Sequence, residues 1–517
     1  MLDLGTSFVA SVERNPDAIA IVDGSLRLTY AEWFERVRNV AGGLAKSGLS
    51  RGDHLVVVLQ NRWEMATLHW ACQLLGVIVT PLNWRSKPDE IDYCAADSEA
   101  RMIVYQDVSA DCVGASEVAQ KLPRVAVGNG RDQQPGSRDD AALPFDALLA
   151  AAPAPKLLHA NAEDWSLMLY TSGTTAKPKG VPRRHRHERA AAVAHVAQNL
   201  YRSGERTLGV MPLYHTMGVR SLLAMALIDG RFVCVPKFDS AAVLASIASE
   251  QITNLYLVPT LYHDVIAHPN AATTDLSSVR KLGFAGAPMN EALLKKLDAA
   301  FRPELFVNHY GSSEVYTFTI DQHAVQKPNS AGKAGINQRI RVVKLDGSDP
   351  ELRAAVGEEG QIIADLAGDE SFEGYWKRPD ADAKSLHGGW YFTGDTGYID
   401  ADGDLFVTGR VDDMMISGGE NISPVEIESL LSLHPAVDEV AVVGLPDARW
   451  GQRVTAFVKR KTMVSGEELD AHCVTSGLAN FKRPRGYVFV VEVPRSPVGK
   501  LLRRKLVANE YELEQGP

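Results

Sequence analysis

Cysteine is scarce in this chain: five residues in 517, Cys72, Cys94, Cys112, Cys234 and Cys473, with no two at metal-ligand or redox spacing. That argues against a disulfide framework, a zinc ribbon or dithiol chemistry, and reads as reduced core thiols of a cytosolic protein. Long apolar runs are also missing. The most apolar early stretch, Ala71 to Leu82, is broken by Gln73 and Thr80 and is too short to span a bilayer. The first residues include Asp3 and Glu13 and lack a basic segment followed by an apolar one, so no signal peptide is expected. The closing Glu-Gln-Gly-Pro is not a peroxisomal address. Positive charge is not in excess either: 54 Lys plus Arg against 64 Asp plus Glu give a formal net charge of −10. No field is present to gather nucleic acid or an anionic membrane. What remains is ordinary globular composition in a chain of about three domain-sized units.

The first 270 residues alternate between two periodicities. Thr29 with Glu32 forms a capping box that opens an amphipathic helix running to about Lys46. His54 to Gln60 reads as a strand, Trp63 to Leu75 as a helix, Val77 to Pro81 as a strand, Asp89 to Ala96 as a helix and Met102 to Tyr105 as a strand. Strands recur near Leu208–Met211, Phe232–Val235, Leu255–Val258 and Lys281–Phe284, with helical patterns between. Short, nearly continuous apolar strands alternating with helices indicate α/β architecture with parallel sheets covered on both faces. Gly128 to Asp140 is polar and rich in breakers, a surface loop. Beyond Gly332, shorter strands with Gly and Asp turns suggest a β-rich subdomain, and a third texture starts after Arg410. The expected division is a large unit, 1–411, and a small α+β unit, 412–517.

The segment Y-T-S-G-T-T-A-K-P-K-G, Tyr170 to Gly180, follows the apolar strand Leu167–Tyr170. Glycine lets a backbone approach a ligand closely, hydroxyls donate hydrogen bonds, and two lysines supply charge, which together suit a polyphosphate. It is not a Walker A loop, since Val181-Pro182 follows where G-K-[ST] should end it.

This segment resembles the signature loop of the adenylate-forming superfamily, which comprises acyl- and aryl-CoA ligases, peptide-synthetase adenylation domains and luciferases. Ala176 stands where that loop usually has glycine. Four more segments match in the family's order: N-H-Y-G-S-S-E (Asn308 to Glu314), Y-F-T-G-D-T-G (Tyr391 to Gly397), T-G-R-V-D-D-M-M-I-S-G-G-E-N (Thr408 to Asn421) and P-V-G-K-L (Pro497 to Leu501). The resemblance covers essentially the whole chain. Gly409 to Asn421 and Arg449-Trp450-Gly451-Gln452 look most like 4-chlorobenzoate- and benzoate-type CoA ligases. It implies a large domain of two stacked, helix-covered sheets plus a β-rich subdomain, and a small mobile C-terminal domain.

The resemblance also implies roles. ATP and AMP would meet Thr171, Ser172, Gly173, Thr174, Thr175 and Lys179 of the loop, and Gly286 and Ala287 under the adenine. Tyr310, Gly311 and Ser313 would complete that site, with Asp395 and Arg410 at the ribose. A carboxylate suits Mg2+ shared with phosphate oxygens, and Glu314 would be that ligand. Lys500 would neutralise charge at the α-phosphate as pyrophosphate leaves, and Asp412 would be the hinge. Coenzyme A would lie along Gly418, Gly419 and Trp450, its phosphates on Arg85, Lys482, Arg483 and Arg485, although an ordinary basic surface patch explains those cations equally well. Arg503-Arg504-Lys505 reads as the solvated face of the last helix.

By the same correspondence His215, Tyr256, Ala285, His309, Gly311, Tyr316 and Thr317 line the acyl group, an aromatic wall with polar edges suited to a flat, compact acid. His215 stands among the catalytic candidates with Lys500 and Glu314, or is a gate without a substrate bond. No Phe-Asp pair opens this element, which disfavours an amino-acid substrate. The resulting expectation is an ATP-, Mg2+- and CoA-dependent ligase of an aromatic or small cyclic acid, with a homodimer as a further expectation. Alternatives are a medium- or short-chain fatty acyl-CoA ligase, a carrier-protein-loading ligase and a luciferase-like oxidoreductase.

Overall fold

The computed structural model describes residues 2–128, 141–153, 160–171, 177–345, 347–418, 420–495 and 501–514. Thr29 caps the helix Tyr30–Lys46 with the reciprocal Glu32 bond, as its sequence predicts, an arrangement worth about 1 kcal/mol. Trp63–Leu75 carries apolar side chains on every face, interrupted by Glu64, Thr67, His69 and Gln73, and lies buried on all sides from Glu64 onward.

Two sheets enclose these helices. A seven-stranded sheet runs in the order Leu143–Pro144, Arg124–Val127, Met102–Gln106, His54–Val58, Ile78–Pro81, Trp165–Thr171 and Lys179–Arg184, all neighbours parallel except the last pair. The second sheet has a parallel block of six strands: Ile19–Asp23, Arg231–Cys234, Arg206–Gly209, Asn254–Leu257, Lys281–Ala285 and Leu305–Tyr310. One core joins the two sheets, with Leu55 and Val57 from the first, Ile21 and Phe232 from the second, and Trp33 and Trp70 between them. Phe8 stacks on Trp70 at 4.4 Å.

The β-rich stretch is not separate from this frame. Thr319–Asp321 pairs antiparallel with Leu305–Tyr310, and Ser330–Ala334 passes the pairing on to Leu405–Arg410. Trp390–Ile399, Gly360–Asp365 and Ile340–Val343 then extend the same sheet. The strand expected at Leu208–Met211 ends at Gly209, because the Asn61 amide takes the Gly209 and Met211 carbonyls in place of a neighbouring strand. Gly128 is described, but residues 129–140 of the expected loop lie outside the described residues.

From Met415 onward the chain builds a smaller sheet of Met415–Ser417, Glu420–Ile422, Val437–Asp447, Gly451–Arg460 and Gly486–Phe489. Its two faces have their own cores, one around Ile427, Leu431 and Leu469, the other around Phe457, Val490 and Leu506. All five cysteines are free, and all but Cys112 are buried. Among the described residues no helix is long and apolar enough to cross a membrane.

Candidate active site

The predicted nucleotide residues gather beyond the carboxyl ends of the parallel strands, where open α/β sheets hold ligands. Gly286 and Ala287 follow Lys281–Ala285, and Tyr310 closes Leu305–Tyr310. The next residue must be glycine: a Cβ on Gly311 would stand 2.0 Å from the Tyr316 carbonyl oxygen. In the Ser312–Val315 turn the Ser312 amide donates to the Val315 carbonyl and the Val315 amide to Ser312 Oγ, with Ser313 at its centre.

This turn buries Glu314. One carboxylate oxygen accepts from the Tyr375 hydroxyl at 2.8 Å, and the Glu314 carbonyl accepts from Arg183 at 2.9 Å. Lys179 Nζ lies 3.9 Å over the Tyr375 ring. Burial pushes the Lys179 ammonium below its usual range, and the Glu314 charge opposes that shift. Thr171 pairs with Lys179 across the hairpin, so the two ends of the hydroxyl-rich segment meet there. Ser172, Gly173, Thr174 and Thr175 lie outside the described residues, as do Gly419 and Lys500.

The second group is set by strand register. Asp395 and Arg410 face each other on adjacent antiparallel strands, and Arg410 Nη1 donates to Asp395 Oδ1 at 2.8 Å. The Tyr310 hydroxyl donates to the other carboxylate oxygen. Burial and the Asp395 charge push the Tyr310 phenol well above its usual range, so it remains a donor. Tyr391, 3.4 Å from the Tyr375 hydroxyl, links this group to the Glu314 group.

The third group is the expected acyl wall. Ala285 and His309 are register partners, and the Tyr256 and His309 rings lie 5.0 Å apart. His195 completes a cluster at 4.8 Å from Tyr256 and 5.2 Å from His309. Burial, followed by the nearby Arg220 charge, holds His309 well below its usual range; His195 is held down by burial, His309 and Arg220. Both rings are neutral. His215 caps the helix Thr216–Leu227 and accepts from the Met217 amide at 3.4 Å. Tyr316 presents its ring between Arg183 and Arg220, at 4.1 and 5.1 Å, while its hydroxyl donates to Glu188 at 2.9 Å. Thr317 is buried beside Gly335 and Glu370.

The coenzyme A candidates divide. Gly418 lies against Trp450, where a Cβ would stand 3.0 Å from the indole, and its φ of +63° favours glycine. Arg85 stacks on Trp84 at 3.7 Å and its charge reaches Tyr214, next to His215. Lys482 and Arg483 already have carboxylate partners, Glu426 at 2.6 Å and Asp470 at 2.5 Å, and Arg485 donates to the Asn480 carbonyl. Asp412 lies exposed in the turn Val411–Asp413. The expectation for Arg503 is corrected: it does not face solvent but bonds Glu428 at 2.6 Å and Asp413 at 2.8 Å, because two carboxylates surround it.

Arg183, Glu188, Arg220, Tyr375, His195 and Asn199 were not singled out by the sequence. A signal existed for Arg220, the lone charge in the apolar helix Thr216–Leu227. Among the described residues one triad of carboxylates has metal-like spacing, Asp400, Asp402 and Asp404. The Lys327 ammonium sits among them at 2.6, 3.0 and 2.5 Å, so the charge is already met. Glu314 is the better fit for Mg2+: a buried carboxylate beside a lysine, with the remaining coordination left to phosphate oxygens and water.

The residues expected at the sugar, the phosphates and the acyl group thus form three groups: the Asp395–Arg410 pair, Glu314 with Lys179, and the rings of Tyr256, His309 and His195. Residues 8–376 match the AMP-binding enzyme family and residues 426–500 the AMP-binding enzyme C-terminal domain. The chain is 33% identical over 507 residues to 4-chlorobenzoate–CoA ligase of an Arthrobacter species, covering 96% of this chain and 93% of the relative. It is 34% identical over 504 residues to feruloyl-CoA synthase of an Amycolatopsis species, covering 97% of both. The solved o-succinylbenzoate CoA synthetase of Bacillus subtilis, in complex with its acyl-adenylate intermediate, superposes with a TM-score of 0.85 at 27% identity over 99% of both chains. The chain belongs to the AMP-binding enzyme family, the adenylate-forming superfamily.

Proposed function

We propose that the protein is an ATP-dependent acid–thiol ligase that activates an aromatic or other small cyclic carboxylic acid as its acyl-adenylate and transfers the acyl group to coenzyme A, releasing AMP and pyrophosphate. The observation that supports the acid's class is the compact cluster of Tyr256, His309 and His195 at the expected acyl wall, whose aromatic and imidazole faces suit a flat ring better than a long alkyl tail. Relatives named for 4-chlorobenzoate, ferulate and o-succinylbenzoate support the same class.

In the first half-reaction the substrate carboxylate attacks the ATP α-phosphate. Asp395 accepts from the ribose hydroxyls, with Arg410 and Tyr310 fixing the carboxylate's orientation. Gly286, Ala287 and Tyr310 lie under the adenine, and Ser313 and Lys179 face the phosphates. Lys500 neutralises charge on the reacting oxygens as pyrophosphate departs. Glu314, held by Tyr375, would hold Mg2+, which supplies charge neutralisation across the phosphates. The large unit 1–411 and small unit 412–517 turn about Asp412 between half-reactions, a reading supported by the separate cores. Coenzyme A then enters beside Gly418 and Trp450, and its thiolate displaces AMP. A cytoplasmic location suits the free thiols. The homodimer is part of the proposal and is checked by light scattering.

The test is AMP release with ATP, coenzyme A and a panel of acids: butyrate to palmitate beside benzoate, hydroxybenzoates, furoate and cyclohexanecarboxylate. The expected result is a sharp optimum near the size of one ring. An optimum at twelve or more carbons would favour the fatty acyl alternative, and stoichiometric ADP would overturn the adenylation chemistry.

A further inference from the structure

The hairpin that carries Lys179 rests on one face of the helix Pro88–Asp97. Tyr93 and Asp97 stand four positions apart on that helix, and so point the same way. The Tyr93 hydroxyl donates to the Pro178 carbonyl at 2.9 Å, and the Tyr170 hydroxyl donates to Asp97 Oδ2 at 2.7 Å. Tyr170 precedes Thr171, and Pro178 precedes Lys179. The register pair Thr171–Lys179 is therefore flanked on both strands by a bond to the same helix. The Tyr93 and Tyr170 rings meet edge to face with centroids 6.3 Å apart, and Lys177 Nζ lies 5.5 Å over the Tyr93 ring. Burial pushes the Tyr170 phenol well above its usual range and the Asp97 bond adds to the shift, so the hydroxyl stays a donor.

The end of the same helix is tied to the opposite side of the site. The Asp97 carbonyl accepts from Trp376 Nε1 at 3.1 Å and from Lys377 Nζ at 2.9 Å. The Trp376 amide in turn donates to the Gly180 carbonyl at 2.9 Å. The approach there is close: a Cβ on Gly180 would stand 3.0 Å from Met168 Sδ and 3.1 Å from Trp376 Cβ. Tyr375, one residue before Trp376, holds Glu314 with its hydroxyl and lies under Lys179 with its ring. Asp97 thus reaches one stem of the hairpin with its side chain, and the neighbours of Tyr375 with its carbonyl. Apolar packing alone would hold the hairpin against the helix but is non-directional. The two hydroxyl bonds, which span 85 and 73 positions, are directional and fix where along the helix each stem sits.

We propose that Tyr93 and Asp97 are positioning residues for adenylation: they fix the two stems of the hairpin so that Lys179 meets the ATP phosphates beside Glu314. This rests on the ligase reading above, in which Lys179 faces the phosphates, and it holds whichever acid is activated. Chemistry at a phosphoryl group depends almost entirely on placement and charge, and a misplacement of about 1 Å costs roughly 100-fold in rate. Transfer to coenzyme A has no β- or γ-phosphate to hold. The register of the hairpin therefore matters to the first half-reaction and not to the second.

The test removes both hydroxyls and keeps both rings, with Tyr93→Phe and Tyr170→Phe in one chain. The acid is the member of the panel above that releases the most AMP, used with its own acyl-adenylate. In single-turnover assays the doubly substituted enzyme should form acyl-adenylate roughly 10- to 100-fold more slowly than wild type. Its thioester formation from supplied acyl-adenylate should stay within about twofold. Asp97→Ala should show part of the same loss. Asp97→Asn, which keeps an acceptor oxygen for the Tyr170 hydroxyl, should restore most of it. If the doubly substituted enzyme gives no melting transition, the two Asp97 variants decide, since that side chain is only half-buried. Equal losses in the two half-reactions would mean that the bonds serve the fold alone and would overturn the proposal. So would a loss of adenylation under about threefold, or Asp97→Asn no better than Asp97→Ala. No AMP from the wild-type enzyme with any acid would overturn the ligase reading, and this inference with it.

Discussion

Glu188 and Arg183 form an ion pair at 2.9 Å in which neither side chain reaches solvent. The pair joins the start of the helix His185–Gln198 to the strand Lys179–Arg184, and through Tyr316 and the Glu314 carbonyl it reaches the adenylate site. Removing one partner strands a buried charge. Glu188→Ala should destabilise the large unit by about 3–5 kcal/mol, whereas exposed pairs such as Lys295–Glu291 should matter little. Urea unfolding of Glu188→Ala beside Lys295→Ala measures the difference. Equal midpoints would mean that the pair does not hold the site.

Asp395 has a geometric role distinct from Arg410. Its two oxygens are oriented by Arg410 and Tyr310. Asp395→Ala should raise KM for ATP by roughly 10- to 100-fold, consistent with the loss of two charged hydrogen bonds. KM for the acid should stay within about twofold. Steady-state kinetics with each substrate varied separately makes the distinction.

Tyr375→Phe deletes one hydroxyl that donates to Glu314. The ring that lies under Lys179 stays in place. The expected outcome is a higher Mg2+ concentration at half-maximal adenylation, by about three- to tenfold, with the melting temperature nearly unchanged. A magnesium titration of pyrophosphate release reads it directly. Loss of folding with no change in the magnesium dependence would make the hydroxyl structural.

Lys500→Ala should lose acyl-adenylate formation by several orders of magnitude and keep thioester formation from supplied acyl-adenylate. A lysine that acts in one conformation matters to one half-reaction. Single-turnover assays of each half separate the outcomes, and equal losses in both would contradict the two-conformation account.

Acid should destabilise the protein through its buried histidines. Burial lowers His54 to about 4, His69 to about 3 and His185 to about 4, and holds His195 and His309 well below the usual range. A native-state value below the unfolded one, about 6.5, means that the unfolded chain takes up protons first as pH falls. Stability is therefore complete above about 6.5 and declines below it, by up to about 1.4 kcal/mol per pH unit for each histidine until its native value is reached. Glu64, raised to about 7 by burial, acts in the opposite direction between its usual value and 7. Denaturant midpoints should be level from pH 8 to 7 and markedly lower at pH 5.

Much of this architecture was legible because local rules and tertiary context agree. The Thr29 cap, the mostly apolar Trp63–Leu75 and the short apolar strands carry their own instructions. The residues expected at the nucleotide came from resemblance, and the structure brings Lys179 near Glu314, and Tyr310 to Asp395 and Arg410. What was not legible depends on distant pairing. Tyr375 meets Glu314 across 61 positions and His309 meets Asn199 across 110, and no local pattern encodes either. The continuation of the large sheet into Ser330–Ala334 and Leu405–Arg410 was hidden for the same reason. Arg503 was misread because a charged run in a terminal helix carries no mark of the two acids that enclose it.

The bonds made by Arg503 and Ser423 act at different places on the proposed pivot. Arg503 ties the helix Arg503–Val507 to Glu428 and to Asp413, next to Asp412. The Ser423 hydroxyl, at the head of the helix Pro424–Leu431, donates to the Thr408 carbonyl on the large-unit side. In the proposed turn about Asp412 the Ser423 bond would break, while the Arg503 knot would travel as one piece with Glu428 and Asp413. That makes the Ser423 contact a detent and the Arg503 knot a stiff lever. A detent of one hydrogen bond is worth about 1 kcal/mol, far less than the binding of a nucleotide or a thioester. At this contact, then, a bound ligand that favours another angle between the two proposed units has only a small cost to meet.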